Sequence, residues 1–184
     1  ITFRSIDNWL NGYGLRWNVA ERVQSYTHPL WMLTVTGLYA ATGEIYLSAL
    51  ALSVAASVGA LALLGFGMAR TPATGLLAIA PLILSKAFVD YSTSGLENPL
   101  THLLLAAFYW IFFTRSERDD GTFLLALSTA LVGINRLDAL LLVVPALAIH
   151  CARHRARADL RALALGLLPL AAWEIFSLVY YGFP

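Results

Sequence analysis

Five apolar stretches, separated by short polar segments, dominate the pattern of the chain and predict helices that cross or enter a membrane. They are Ile45–Met68, Thr74–Val89, Pro99–Thr114, 122–150 and Leu160–Tyr181. Ile45–Met68 carries no charged residue and is long enough to cross a hydrocarbon core about 30 Å thick. Thr74–Val89 is predicted as a span that is interrupted by Pro81 and Lys86.

The stretch 122–150 is broken by the polar run Asn135–Asp138, which leaves two interpretations. A single long helix would place Arg136 and Asp138 near the middle of the bilayer, at a cost of about 2.5–3.5 kcal/mol for each charge. A hairpin of two short helices would place them at a turn. The hairpin is favoured because it brings six flanking arginines to one face, which the positive-inside rule makes cytoplasmic: Arg115, Arg118, Arg153, Arg155, Arg157 and Arg161.

The first 28 residues are the most polar part of the chain and begin with an amphipathic pattern. Phe3, Ile6 and Leu10 recur at helical spacing, with Trp9 beside them and polar residues on the other face. The pattern predicts a helix of about three turns at the membrane–water interface, which ends at the glycines of 12–14.

A second short helix is predicted from Leu30 to about Ala41, with Pro29 in its first turn and Thr42-Gly43 at its end. Its roughly 12 residues extend only about 18 Å, so a juxtamembrane or re-entrant position is expected.

These elements predict an all-α polytopic membrane protein with about six spans. The predicted topology divides the chain into an extracytoplasmic loop, 1–44, and a transmembrane helix bundle, 45–184. The runs Asp90–Asn98 and Asn135–Asp138 then lie on the same outer side as 1–44, while Arg70 lies in the cytoplasm.

The composition of the 184 residues supports this class and excludes others. Charged residues make up 12% and hydrophobic residues 59%, whereas an ordinary soluble domain has about 25% charged residues. A net charge of +1 excludes a basic nucleic-acid binder. A single cysteine excludes a disulfide framework, and four scattered histidines have no metal-ligand spacing. Because the chain begins with Ile1 and stops after an apolar run, we expect a fragment of a longer membrane protein.

Two polar runs are candidates for chemistry. The hydroxyls and carboxylates of 90–99 suit a polyol, although Glu97 could simply stabilise a helix start. Arg136 could hold a phosphate through its fork of N–H donors, or it and Asp138 could be a neutralised pair. His28 either contacts substrate or lies at a helix start. Glu174, alone in the last helix, faces a cavity or is a protonated structural group, and the structural interpretation is favoured.

The same residues resemble a known family. The first segment is similar to the first extracytoplasmic loop of certain GT-C glycosyltransferases, in particular the polyprenyl-phosphate-dependent arabinofuranosyltransferases of the mycobacterial terminal β-1,2 type and their bacterial relatives. Ser94-Gly95-Leu96-Glu97 and Arg136-Leu137-Asp138-Ala139-Leu140 resemble two further motifs of that group. The likeness in the first segment is carried by Ile1-Thr2-Phe3-Arg4, Asp7-Asn8, Gly12-Tyr13-Gly14, Asn18, Glu21-Arg22-Val23, Tyr26-Thr27 and Pro29-Leu30-Trp31.

The resemblance implies a GT-C-like helix bundle in a bacterial cytoplasmic membrane, with its active site facing outward. It implies a polyprenyl-phosphate sugar donor, a glycan or glycoconjugate acceptor and a catalytic acidic pair just before the position of Ile1, so no catalytic residue is assigned within the chain. Many GT-C enzymes use a divalent cation, Mg²⁺ or Mn²⁺, but no ligand set in this sequence demands one. Arg136 is assigned to the donor phosphate, and the candidate sugar or acceptor contacts are Asp7, Arg22, His28, Asp90, Glu97 and Asp138.

A transporter or flippase remains the alternative, with Arg136, Asp138 and Glu174 as its intramembrane charges. Transporters often contain repeated halves with matching broken helices, and no such repeat is visible in the sequence. A structural membrane subunit is a third class, but it would not need so dense a polar loop.

Overall fold

The computed structural model describes residues 1–153 and 159–182, and these residues form helices and turns with no β-strand. The helices are α1 Thr2–Leu10, α2 Pro29–Thr42, α3 Ile45–Ala62, α4 Pro72–Ile83, α5 Lys86–Ser92, α6 Asn98–Thr114, α7 Gly121–Asn135, α8 Leu140–Arg153 and α9 Leu160–Tyr181. A π-helical turn, Leu63–Met68, continues α3, and a 3₁₀ turn, Leu137–Ala139, joins α7 to α8.

Two helices are long and apolar enough to cross a membrane. They are Ile45–Met68, with 24 residues and a mean hydropathy of 2.2, and Leu160–Tyr181, with 22 residues and a mean hydropathy of 1.9. The helices α6, α7 and α8 are shorter than the roughly 20 residues that a span needs. By length and composition the described residues therefore support two spans, or three if one bent pair of helices counts as a span, and the count of six stays a prediction.

The predicted span Thr74–Val89 is divided in the structure. Its two parts, α4 and α5, are bent by 77° relative to each other, so together they form a broken span or a re-entrant loop. Ser85 begins the second helix, because its Oγ accepts a hydrogen bond from the backbone N–H of Phe88 at 3.4 Å. The break thus falls between Pro81 and Lys86, the two residues that interrupt the apolar pattern.

The hairpin interpretation of 122–150 is confirmed. The Oγ1 atom of Thr122, at the start of α7, lies 3.1 Å from Nε2 of His150, near the end of α8, so the two helices run antiparallel. Between them the backbone of Arg136 is extended, with φ −154° and ψ 112°. This residue therefore ends α7 and lies at the tip of the hairpin.

The last helix runs parallel to α7 and packs closely against it. A Cβ on Gly166 would lie 2.5 Å from Cβ of Ala126, and one on Gly133 would lie 3.3 Å from Leu170. The starts of α7 and α9 are therefore together at one end of the helices, which carries Arg115, Arg118, Arg153 and Arg161. The predicted partners Arg155 and Arg157 lie outside the described residues. The opposite end, where α7 finishes and α6 begins, is called the polar end below.

The two short helices predicted in 1–44 are present as α1 and α2, within two residues of the expected limits. This segment shares a hydrophobic core with the last helix, in which Ile6, Tyr26 and Trp31 pack with Tyr181. The Tyr181 hydroxyl donates to the carbonyl of Leu15 at 2.7 Å and lies 2.9 Å from the Tyr26 hydroxyl. These contacts hold the first segment against α9.

Candidate functional site at the polar end

Three segments that are distant in sequence meet at the polar end. Nδ1 of His28, from the first segment, lies 3.6 Å from Oε2 of Glu97, and the other oxygen of that carboxylate lies 3.8 Å from Nη1 of Arg136. Thr2 joins this group because its Oγ1 lies 2.8 Å from Nε2 of His28. The carboxylate of Glu97 is therefore the centre of a cluster that His28, Glu97, Arg136 and Asp138 form together.

The turn before α6 fixes Glu97 in this position. Gly95 has a φ of 73°, a left-handed conformation that favours glycine, and its carbonyl accepts a hydrogen bond from Nε1 of Trp31 at 3.2 Å. Glu97 lies at the N-cap of α6 but makes no side-chain capping bond. Its side chain is only 16% exposed, so its contacts with Arg136 and His28, rather than the helix end, account for its position.

The C-terminal end of α7 fixes Arg136. The preceding residue, Asn135, is fully buried and donates from Nδ2 to Oγ1 of Thr101 on α6 at 2.9 Å. The guanidinium then donates to both carboxylate oxygens of Asp138, at 3.1 and 2.7 Å, and to Oδ1 of Asn98 at 3.2 Å. A guanidinium has five N–H donors, so these three bonds leave two available, and the side chain is 35% exposed.

Burial and charge both act on the protonation of the cluster. Burial lowers the pKa of His28, which the charge of Glu97 opposes and that of Arg136 reinforces. The hydrogen bonds with Asp138 raise the pKa of Arg136 and lower that of Asp138. The lowered pKa favours a neutral His28 imidazole at neutral pH, while the pair of Arg136 and Asp138 keeps its opposite charges.

Two other predicted site residues, Asp7 and Arg22, make contacts away from the cluster. Asp7 is exposed and accepts a hydrogen bond from the Tyr39 hydroxyl at 3.2 Å. The guanidinium of Arg22 lies 5.6 Å from the ring centre of Tyr180. Neither residue has an ion pair or hydrogen bond to the cluster within the part of the chain that the structure describes.

Asp90, which the predicted topology places on the same outer side as the first segment, is paired with a residue of its own helix. It forms an exposed ion pair with Lys86, one turn earlier on α5. The physical reason is the bend at Ser85, which starts a separate helix on which Lys86 and Asp90, four residues apart in the sequence, share one exposed face. No hydrogen bond or ion pair joins Asp90 to residues 1–28, as far as the described residues show.

Sequence reasoning did not single out Asn98, Asn135 or Thr2, which support the cluster. Asn98 lies in the predicted polar run 90–99 and Asn135 begins the run Asn135–Asp138, so membership of these runs was the signal for both residues. The sequence also favoured a structural role for Glu174, whereas in the structure Glu174 lines a cavity at the polar end. The signal for that position was the presence of a carboxylate inside an apolar helix.

The residues present do not fit a divalent cation. Within 1–153 and 159–182, no three side chains of histidine, cysteine, aspartate or glutamate come together as a ligand set. The two acidic residues of the cluster, Glu97 and Asp138, are both paired with Arg136.

Comparison with known proteins relates the chain to a glycosyltransferase. It is 29% identical, over 205 aligned positions, to a terminal β-(1→2)-arabinofuranosyltransferase of Mycobacterium tuberculosis. The alignment covers 99% of this chain and 32% of that protein, so the chain spans about a third of its relative's length. No family model matches the chain, and no solved structure matches it. The relation and the apolar helices are together compatible with a membrane glycosyltransferase.

Proposed function

We propose that this chain is part of an integral-membrane glycosyltransferase of the GT-C type. The enzyme transfers a sugar, arabinofuranose or one like it, from a polyprenyl-phosphate donor to a glycan or glycoconjugate acceptor. The polar end faces outward from a bacterial cytoplasmic membrane, and the helices supply about six spans. The relative's name supports the sugar and the transfer, and the predicted topology supports the orientation.

The observation that carries this proposal is the meeting of three motifs at one place. The residues that resemble the arabinofuranosyltransferases come from the first segment, the turn before α6 and the turn after α7. In the structure these segments meet through His28, Glu97 and Arg136. The start of α1 is held there by Thr2, so an acidic pair just before Ile1, as the resemblance implies, would lie beside the cluster.

Arg136 is proposed to bind the donor phosphate through its two remaining N–H groups. The acceptor hydroxyl attacks the anomeric carbon of the donor sugar and loses its proton to an acidic residue that precedes Ile1. The bond between the sugar and the phosphate breaks, and the polyprenyl phosphate leaves as an anion. The fixed positive charge of Arg136 stabilises that anion as it forms. Glu97 and Asn98 hold the guanidinium in place.

The proposal is tested by replacing Arg136 in the full-length protein, reconstituted in liposomes with a polyprenyl-phosphate arabinofuranose donor. A charge-assisted hydrogen bond contributes about 1.5–3 kcal/mol, so Arg136→Gln should lower kcat/KM for the donor by roughly 10–150-fold. Arg136→Lys keeps the charge but loses the fork, and it should recover only part of the activity.

Arg118→Gln is the matched control, because Arg118 forms an exposed pair with Asp120 at the opposite end of α7. It should leave transfer unchanged. If Arg136→Gln is well folded and equally active, the phosphate is held elsewhere. If the wild-type protein moves the lipid-linked sugar across the liposome membrane but transfers none of it, the transporter alternative replaces the glycosyltransferase.

A further inference from the structure

A cavity of about 310 Å³ lies at the polar end next to the charged cluster. It is enclosed by the first segment, the C-terminal end of α7 and the second half of α9. Two of its lining residues, Pro29 and Leu137, directly follow His28 and Arg136 in the chain. The polar lining consists of Gln24, Thr27, Glu174 and Ser177, and the larger apolar lining residues are Tyr26, Pro29, Ile134, Leu137 and Trp173.

Glu174 is the unusual member of this lining. It lies within one of the two helices that are long and apolar enough to span a membrane, where an ionisable side chain is costly unless it has a partner. The side chain is half-buried. Among the described residues it has no ion pair and no hydrogen bond, so its carboxylate is available to a ligand in the cavity.

The neighbouring polar groups are held in fixed orientations. Gln24 accepts a hydrogen bond from Oγ of Ser177 at 2.9 Å and donates from Nε2 to the carbonyl of Tyr26 at 3.0 Å. An amide has two N–H donors, so one donor of Gln24 remains. The cavity therefore offers a carboxylate acceptor, an amide donor and the Thr27 hydroxyl.

The aromatic residues complete a lining that suits a sugar. The rings of Tyr26 and Trp173 lie 6.4 Å apart at 50°, and both residues line the cavity beside the polar groups. A purely apolar ligand would leave Glu174 without a partner, and a lone carboxylate is a poor site for a divalent cation. The volume lies at the lower end of the range of about 300–1,000 Å³ for small-molecule sites, which suits one sugar ring.

We infer that this cavity binds a single sugar ring, with Glu174 accepting hydrogen bonds from its hydroxyls and Trp173 against its apolar face. The inference rests on the proposed function, since a glycosyltransferase handles two sugars. The ring belongs either to the lipid-linked donor or to the acceptor glycan, and the two share this chemistry.

The first test uses the full-length protein with a polyprenyl-phosphate arabinofuranose donor and an arabinofuranose oligosaccharide acceptor. Glu174→Gln should raise KM for one of these substrates roughly tenfold, as the loss of a charged hydrogen bond implies. A rise for the donor assigns the ring to the donor, and a rise for the acceptor assigns it to the acceptor. Glu44→Gln, at an exposed position outside the cavity, is the control and should change neither. Unchanged constants for both substrates in folded Glu174→Gln would overturn the inference.

The second test does not depend on transfer and therefore separates this inference from the proposed function. Saturation-transfer NMR with methyl arabinofuranoside should show contact between the sugar and the wild-type protein. The signal should fall in Glu174→Gln and Glu174→Ala, and remain in Glu44→Gln. Absence of the signal in the wild-type protein, or equal signals in all four proteins, would refute the sugar site, whether or not the enzyme transfers sugar.

Discussion

Replacing Gly166 by alanine should destabilise the protein, because α7 and α9 approach too closely there for a side chain. The added methyl group would lie 2.5 Å from Cβ of Ala126 and 2.8 Å from both the backbone nitrogen of Leu127 and the carbonyl oxygen of Phe123. Carbon atoms in contact normally lie about 3.5–4.0 Å apart. Two of the three obstacles are backbone atoms that cannot rotate away, so α9 must move outward by about 1 Å.

The expected cost follows from two opposing contributions. Overpacking of a tight interior costs about 1–3 kcal/mol, whereas replacing a helical glycine by alanine gains up to about 1 kcal/mol. We therefore expect a net loss of up to about 2 kcal/mol in the free energy of unfolding for Gly166→Ala if the full helical gain applies. The loss should be accompanied by a weaker interaction with substrate, since α9 carries part of the cavity wall.

The matched control is Gly37→Ala, on the exposed surface of α2, where an added Cβ meets nothing within 4 Å. This variant should be neutral or more stable by up to about 1 kcal/mol. Thermal unfolding of both variants in detergent, followed by tryptophan fluorescence, measures the difference. If Gly166→Ala is as stable as Gly37→Ala, the close packing of α7 on α9 is refuted.

Two further predictions concern the cluster. Gly95→Ala and Gly12→Ala both place a side chain at a positive φ, 73° and 83°, so each variant should lose roughly 1–2 kcal/mol of stability. Only Gly95→Ala should also reduce sugar transfer, because it displaces the turn that carries Glu97. Equal transfer activity in the two variants would contradict this prediction. Because burial lowers the pKa of His28 below its ordinary 6.5, the unfolded protein binds the extra proton more readily, so stability should fall as the pH drops below about 6.5. His28→Gln should show a smaller fall in melts between pH 7.5 and 5, and an identical pH profile would rule out this contribution.

The helices were predictable because their signals are local. Ile45–Met68 and Leu160–Tyr181 are bounded by polar residues and glycines, and their observed limits match the apolar runs. The hairpin in 122–150 was predictable for a different reason, because a single long helix would divide the flanking arginines between the two sides of the membrane. That Glu97 and Arg136 lie at the same end of the helices followed from the topology, because antiparallel neighbours bring alternate turns to the same end, whereas their contact came from the structure.

The rest depended on geometry that no local pattern encodes. The polar run around Asp90 was expected to act as one loop, but the 77° bend turned its first part into a separate helix that carries the Lys86–Asp90 pair. For Glu174 the sequence shows only the surrounding apolar helix, in which a carboxylate is unusual, and this favoured a structural role. Its surroundings come from segments about 150 residues earlier and 40 residues earlier in the chain, at Gln24 and Ile134, and only the packing of α9 on α7 brings them together.

Asp138 either only neutralises Arg136 or also orients its guanidinium for the donor phosphate, and one substitution distinguishes these two roles. Its pair with Arg136 is close, at 2.7 and 3.1 Å, but the aspartate side chain is 67% exposed, so the pair should contribute no more than about 1 kcal/mol to stability. An anionic donor phosphate at Arg136 would meet repulsion from Asp138, and at about 6 Å in a partly solvated site that repulsion is on the order of 1 kcal/mol.

Asp138→Asn removes the repulsion and releases N–H donors of the guanidinium. We therefore expect KM for the polyprenyl-phosphate donor to fall about three- to fivefold, with the melting temperature little changed. Asp120→Asn, which breaks the exposed pair with Arg118 at the other end of α7, should leave KM unchanged. A higher KM in Asp138→Asn would instead show that Asp138 orients the guanidinium and that its charge is needed for donor binding.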